Sequence, residues 1–200
     1  MAVDGVDGAG KTTFADSIAK ILRERHSEVI RVSVDDFHHV RAIRYRCGRD
    51  SPEGFWLDSF NYSRLHADVL DPLGPGGTRR FRRAAHDLTS DAELHPPEEQ
   101  AVPGAVLVLD GLFLHRDGLA QLWDLSVWLD VPVEVSVGRR AARDGSHPDP
   151  EHPSLARYVR AQTHYLASCH PADRAHVVID NAEADRPILI TQRLPGQRRA

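Results

Sequence analysis

The chain has no long apolar run. Nothing in its 200 residues approaches the roughly 18–20 apolar residues that cross a bilayer, which excludes a helical membrane span, and no membrane partner is expected. Cysteine is scarce. Cys47 and Cys169 are the only two and lack a CxxC spacing, so they read as free thiols in a reducing compartment rather than a disulfide. Positive charge is not in excess: 25 Lys and Arg against 29 Asp and Glu give a net charge of -4, which argues against a general nucleic-acid binder. Lysine is almost missing, and of the basic residues only Lys11 and Lys20 are not arginine. Genome composition produces such a bias, but it makes Lys11 conspicuous. Met1-Ala2-Val3-Asp4 has no basic n-region and no apolar h-region, so no secretory signal is expected and the expected compartment is the cytoplasm. There is no internal repeat and no long low-complexity tract.

What is present is an ordinary globular composition, 41% hydrophobic and 27% charged. The length suits one α/β domain with a proper core, not comfortably two. Short apolar runs, turns and amphipathic stretches alternate, which is the rhythm of βα units and a parallel sheet. Val3 leads a very short expected first strand, shorter than is typical, and whether Met1 is the true start is open. A helix is expected over 11–25, with Phe14, Ile18, Ile21 and Leu22 on one face. Further strands are expected at 29–34, 106–109, 125–129 and 177–179, with helices over 133–143 and 154–168. Between the second and third strands the rhythm stops. A helix over 57–70 is expected there, then a Gly/Pro turn at 72–77 and the run Arg79-Arg80-Phe81-Arg82-Arg83. Residues 144–153 read as a mobile loop, and residues 181–200 as a partly disordered tail.

Gly5-Val6-Asp7-Gly8-Ala9-Gly10-Lys11-Thr12 matches G-x-x-x-x-G-K-[ST]. Glycines let successive backbone N–H groups turn inward toward phosphate oxygens. The helix that opens at Lys11 adds its N-terminal partial charge. Lys11 reaches the β- and γ-phosphates, and the Thr12 hydroxyl is a Mg²⁺ ligand. The motif lies between a strand and an amphipathic helix, as this chemistry requires. A glycine-rich turn with a surface lysine is the bland alternative.

Ligands of an open parallel sheet bind beyond the carboxyl ends of its strands, where Asp35 and Asp110 both fall. Asp110 follows Val-Leu-Val-Leu, a pattern that holds Mg²⁺ directly or through water; a turn or N-cap aspartate is the alternative. Asp35-Asp36-Phe37-His38-His39 offers a carboxylate to take a proton from an attacking hydroxyl. Either aspartate could instead cap the next turn, and the histidines raise the weaker alternative of a metal site. Arg139, Arg140 and Arg143 are spaced to share a helix face, which could close over polyphosphate. A solvated basic helix end is the alternative. The run 79–83 reads as a charged edge or as a site for an acidic acceptor. Phe55, Trp56 and Phe60 read as core or as a base-stacking platform.

These residues resemble the uridine kinase family of P-loop kinases, with phosphoribulokinase and bacterial pantothenate kinase as relatives. The resemblance rests on the loop from Gly5 to Thr12, on Asp35-Asp36-Phe37-His38, on Asp110-Gly111, and on Arg139-Arg140-Ala141-Ala142-Arg143-Asp144. A weaker landmark runs from Tyr165 through His170-Pro171 to His176-Val177-Val178-Ile179. It implies an α/β P-loop NTPase fold, doubly wound, with a mostly parallel five-stranded sheet, helices on both faces and a substrate-side insertion. It implies one kinase domain over 1–180, with an insertion over about 40–104 and a lid over about 139–153. ATP and Mg²⁺ are the implied cofactors, and the implied activity is phosphoryl transfer to an alcohol.

Asp35 is then the catalytic base, acting with Lys11 and Arg143. Gly5, Asp7, Gly8, Ala9, Gly10, Lys11, Thr12, Thr13, Arg139 and Arg140 bind the nucleotide. His38, His86 and Asp87 face the acceptor, and Thr12 and Asp110 hold the metal. Uridine kinases carry a Tyr-Asp…His segment that reads the pyrimidine; here His86 replaces the tyrosine and Asp91 stands near the histidine position. The first acceptor expected is uridine or cytidine, and the alternative is a pantothenate-like or sugar-like metabolite. Thymidylate kinases share the loop but need an Asp-Arg pair where this chain has Asp110-Gly111. In another class stands a nucleotide-binding switch or ATPase. The expected partner is the small-molecule acceptor alone; a homo-oligomer is open.

Overall fold

The computed structural model describes residues 1–25 and 28–193. In chain order the first elements are β1 (Ala2–Gly5), α1 (Lys11–Glu24), β2 (Val29–Ser33) and a 3-10 turn Val34–Phe37. Then come α2 (Arg41–Arg44), α3 (Pro52–Asp58), α4 (Tyr62–Leu65), a π turn His66–Leu70 and α5 (Asp71–Leu73). Four two-residue strands follow: β3 (Arg80–Phe81), β4 (His86–Asp87), β5 (Ala92–Glu93) and β6 (Glu99–Gln100). The rest are β7 (Val106–Gly111), β8 (Ser126–Asp130), α6 (Val133–Asp144), α7 (Ala156–Cys169), α8 (Pro171–Arg174), β9 (Val177–Asp180) and β10 (Ile188–Gln192). The main sheet has the hydrogen-bonded order β10-β9-β8-β1-β7-β2. This is the expected α/β architecture with a mostly parallel sheet. The chain falls into two compact units, Met1–Ala15 with Asp110–Ala200, and Asp16–Leu109.

In the first unit β1 and β8 pair in parallel, from Ala2 opposite Ser126 to Gly5 opposite Leu129. β8 and β9 pair in parallel from Val127 opposite Val177 to Asp130 opposite Asp180. Val3, Val127, Trp128 and Leu129 are all buried. Strands covered on both faces must be apolar throughout, and each such side chain contributes about 2 kcal/mol. Tyr165 of α7 packs edge-on against Phe113 and Trp128, with ring centroids 5.1 and 6.2 Å apart.

The five expected strands are β1, β2, β7, β8 and β9, and the sheet has a sixth. β10 runs antiparallel to β9, Ile188 opposite Asp180 and Gln192 opposite Val177. This corrects both the five-strand count and the expectation of a loose tail from 181. Ile188-Leu189-Ile190-Thr191 is an aliphatic, β-branched run that suits a strand. Pro187 stands just before the strand, where its missing N–H costs no ladder bond. The part of the expected tail over 194–200 lies outside the described residues.

In the second unit Ile30 and Val32 of β2 are buried, and Val34 and Phe37 continue the core past the strand. The helix expected over 57–70 is two helical stretches. α3 ends at Asp58, Phe60 pairs with His38 in an isolated β-bridge, and Asn61 Oδ1 accepts from the Arg64 N–H to start α4. An Asn N-cap competes with helix continuation at that point. Phe55 and Phe60 are buried with Leu65, Val69 and Phe81, so they are core. In the arginine run, Arg80 pairs with Glu98 at 2.7 Å, Arg82 with Glu98 at 3.2 Å and Arg83 with Glu99 at 2.7 Å. Their charges are met within the β3–β6 edge, and such exposed pairs add little stability. Among the described residues no helix is long and apolar enough to cross a membrane. Cys47 and Cys169 are free thiols.

Candidate functional site

The first unit carries the glycine loop. Gly8 and Gly10 have φ of 83° and 87°, a left-handed conformation that side chains with a Cβ rarely adopt. The Ala9 N–H donates to the Val6 carbonyl at 3.0 Å, and the Phe14 N–H donates to Gly10 at 3.0 Å to open α1. Gly8 has no room for a side chain, since a Cβ there would lie 2.2 Å from the Ser136 carbonyl oxygen at the root of α6. Gly8→Ala therefore combines backbone strain with a backbone clash. It is expected to cost on the order of 2 kcal/mol, read as a lower urea midpoint. An unchanged midpoint would show that the loop does not need this approach.

Around the loop the polar groups are held in place. Lys11 Nζ donates to the Val6 carbonyl at 2.9 Å. The Thr12 hydroxyl donates to Asp110 Oδ2 at 2.7 Å. Asp110 is buried at the end of β7, whereas Thr12 and Thr13 are exposed. A hydroxyl and a carboxylate side by side are hard oxygen donors of the kind Mg²⁺ takes beside substrate phosphates. Among the described residues no three His, Cys, Asp or Glu side chains are placed to hold a metal together, and a phosphate-assisted Mg²⁺ site does not need them. The glycine cradle and this oxygen pair fit a Mg²⁺-bound polyphosphate.

Asp7 is the centre of the loop's charge pairing. Its carboxylate lies 3.3 Å from Arg140 and 3.5 Å from Arg143. The Arg140 guanidinium sits 4.0 Å above the Tyr158 ring centroid, a cation–π contact. Burial pushes the Arg143 guanidinium down, but the charges of Asp7 and Asp144 outweigh it and hold Arg143 above its ordinary value. Arg139 does not join them. Its guanidinium donates to the Ala182 carbonyl at 2.8 Å, so of the three arginines expected on one face only Arg140 and Arg143 converge on Asp7.

Two further residues grip the loop that the sequence did not single out. Gln162 Oε1 accepts from the Asp7 N–H at 2.6 Å, and Asn181 Nδ2 donates to the Ala9 carbonyl at 2.8 Å. The one signal for Gln162 was its place between Tyr158 and Tyr165 at helical spacing. Asn181 gave no signal beyond following a strand.

The second unit carries the other candidates. Asp35 and Asp36 are exposed in the turn after β2, and the Ser33 hydroxyl accepts from the Asp35 N–H at 3.3 Å. His38 Nδ1 lies 2.7 Å from the Asp35 carbonyl oxygen, and its ring lies 4.6 Å from Phe60. Burial lowers the His38 pKa and the charges of Arg44 and His86 add to the shift, against Asp35. His86 is buried, with Nε2 3.2 Å from Asp91 Oδ1. Asp91 also accepts from the Arg41 N–H at 2.9 Å and the Arg44 guanidinium at 3.2 Å. Burial acts to raise the Asp91 pKa, but these bonds outweigh it and hold the carboxyl below its ordinary value. Asp87 serves its own hairpin: one oxygen accepts from the Thr89 N–H at 2.9 Å, the other from the Ser90 hydroxyl at 2.7 Å. Those bonds, Ser90's first, lower its pKa. Arg41 and Arg44 were missed because nothing in the sequence pairs them with a residue some fifty positions away.

The fold is similar to that of several solved kinases. A possible uridine kinase from Bacillus stearothermophilus is 23% identical with a TM-score of 0.70, covering 88% of this chain and 85% of that one. Phosphoribulokinase from Rhodobacter spheroides is 15% identical with a TM-score of 0.60, covering 97% and 75%. D-glycerate 3-kinase from Cryptococcus neoformans var. grubii is 10% identical with a TM-score of 0.52, covering 94% and 88%. No curated protein sequence matches this chain. The model of the phosphoribulokinase / uridine kinase family matches residues 1–184. With the family's pattern running through the glycine loop and on past β9, the chain belongs to the phosphoribulokinase / uridine kinase family of P-loop kinases.

Proposed function

We propose that the protein transfers the γ-phosphoryl group of MgATP to a hydroxyl of a small molecule. The observation that carries this is the Thr12–Asp110 pair at 2.7 Å beside the glycine loop that ends in Lys11. Bound MgATP supplies the transferable phosphoryl group and the metal charge. Gly5, Gly8, Ala9, Gly10 and Thr13 shape the cradle, and Lys11 meets the β- and γ-phosphates. Thr12 and Asp110 hold the Mg²⁺. Asp35 takes the proton of the acceptor hydroxyl. Arg143, aided by Arg140, covers charge developing on the transferred group, while Arg139 braces the turn after β9. The kinase domain is residues 1–180 with β10 added at its edge. Its insertion, about 40–104, carries the acceptor side, and about 139–153 acts as the lid. The protein works in the cytoplasm on a small-molecule acceptor, and a homo-oligomer is open.

The resemblance puts uridine or cytidine first, with His38, His86 and Asp87 at the acceptor. One observation favours a second reading, an anionic or sugar-like hydroxylated metabolite. His86 and Asp91 are already paired with each other, and two arginines, Arg41 and Arg44, meet the one Asp91 carboxylate. With His86 and Asp91 held in this network, neither stands open to read a pyrimidine edge.

The test is MgATP consumption with no acceptor, with uridine, cytidine and other nucleosides, and with pantothenate, hydroxy acids and simple sugars. Acceptor-dependent turnover is expected. Turnover confined to pyrimidine nucleosides supports the first reading, turnover confined to an anionic or sugar-like alcohol supports the second, and equal turnover with none would replace both with an ATPase.

A further inference from the structure

A carboxylate is buried where the glycine loop begins. Asp4, in β1, is 0% exposed. An ionised carboxylate in such a place costs several kcal/mol unless hydrogen bonds replace its water. Asp4 has four polar partners, three of them donors and the fourth an imidazole nitrogen. Oδ1 accepts from the Gly5 N–H at 2.7 Å. Oδ2 accepts from the His115 N–H at 3.0 Å and from the Tyr165 hydroxyl at 2.5 Å, and it lies 2.9 Å from His115 Nδ1. Both carboxylate oxygens thus act as acceptors. Burial and the Asp4 charge push the Tyr165 phenol well above its ordinary value, so it remains a donor.

A carboxylate serving only the core could find its partners anywhere along β1. Here one partner is the N–H of Gly5, the first residue of the loop. One turn before Tyr165 on α7, Gln162 takes the Asp7 N–H. α7 thus reaches the loop at two points, directly at Asp7 and through Asp4 at Gly5. We propose that Asp4, held by Tyr165 and His115, is a positioning residue for nucleotide binding: it fixes the Gly5 peptide so that the loop is already shaped for polyphosphate. This rests on the reading that the loop binds nucleotide phosphates. A loop pre-shaped in this way loses less conformational entropy when it binds.

The experiment is calorimetric titration with MgADP, with urea midpoints measured alongside, on wild type, Lys11→Ala, Tyr165→Phe, Asp4→Asn and Ser126→Ala. The last removes a buried hydroxyl that accepts from the His176 N–H at 3.3 Å, in the same unit but away from the loop and from the partners of Asp4. Tyr165→Phe is expected to weaken MgADP binding about 10-fold, and Asp4→Asn more, because with its amide oxygen kept toward Tyr165 and His115 its NH2 meets the Gly5 N–H donor to donor. Ser126→Ala is expected to lower the midpoint and leave the dissociation constant alone. If Tyr165→Phe binds MgADP as wild type does while Lys11→Ala has lost binding, the inference is overturned and the loop reading stands. If Lys11→Ala also binds as wild type, the loop reading itself falls. Should Asp4→Asn fail to fold, Tyr165→Phe alone decides.

Discussion

Lys11→Ala is expected to abolish phosphoryl transfer and leave the fold intact. The lysine is the one cation of the motif, and on the proposed function its charge faces the β- and γ-phosphates, where negative charge gathers. Removing one preorganised electrostatic contact of this kind costs on the order of 10²–10³ in rate. A full positive charge facing a polyphosphate should exceed that. The fold has little to lose. Lys11 opens α1, where alanine is a better helix former, and its amine makes one bond, to the Val6 carbonyl. Turnover with a saturating acceptor, far-UV circular dichroism and a urea midpoint check the two halves separately. A folded variant with normal turnover would remove the glycine loop from the mechanism.

Asp35→Asn is expected to lower kcat by about 10²–10⁴, or ~3–5 kcal/mol of barrier, with nucleotide affinity nearly unchanged. Asparagine keeps the shape and cannot take the proton. The residue is exposed at the end of β2, so the change should not disturb packing. A kcat equal to wild type would exclude Asp35 as the base.

What could be read before the structure was whatever local chemistry determines. The glycine loop, the aspartates closing β2 and β7, and the helix that carries the arginines all follow from short-range pattern. They stand where that pattern put them. What could not be read was set by distant partners. Helical spacing placed three arginines on one face, but Asp7 takes two of them and Ala182 takes the third. The helix over 57–70 broke because Phe60 pairs with His38 and Asn61 caps a new start. β10 was hidden by Pro187, which reads as a breaker until the neighbouring β9 supplies a ladder. Nothing in the sequence marks Asp4, whose burial and partners His115 and Tyr165 come from distant segments. His86 and Asp87 read as acceptor ligands from their positions, but His86 meets Asp91, which Arg44 also meets, and Asp87 bonds within its own hairpin.

The pairing of Asp7 with Arg140 and Arg143 bears on how the protein responds to ionic strength. Bare arginines above a phosphate loop would attract any polyanion, and such attraction weakens steeply as salt screens it, over about 8 Å at physiological strength. Here the two cations already own a counter-ion within 3.5 Å. On the proposed function, a polyphosphate would compete with Asp7 for these two cations, so its net electrostatic gain would be smaller than a count of arginines suggests.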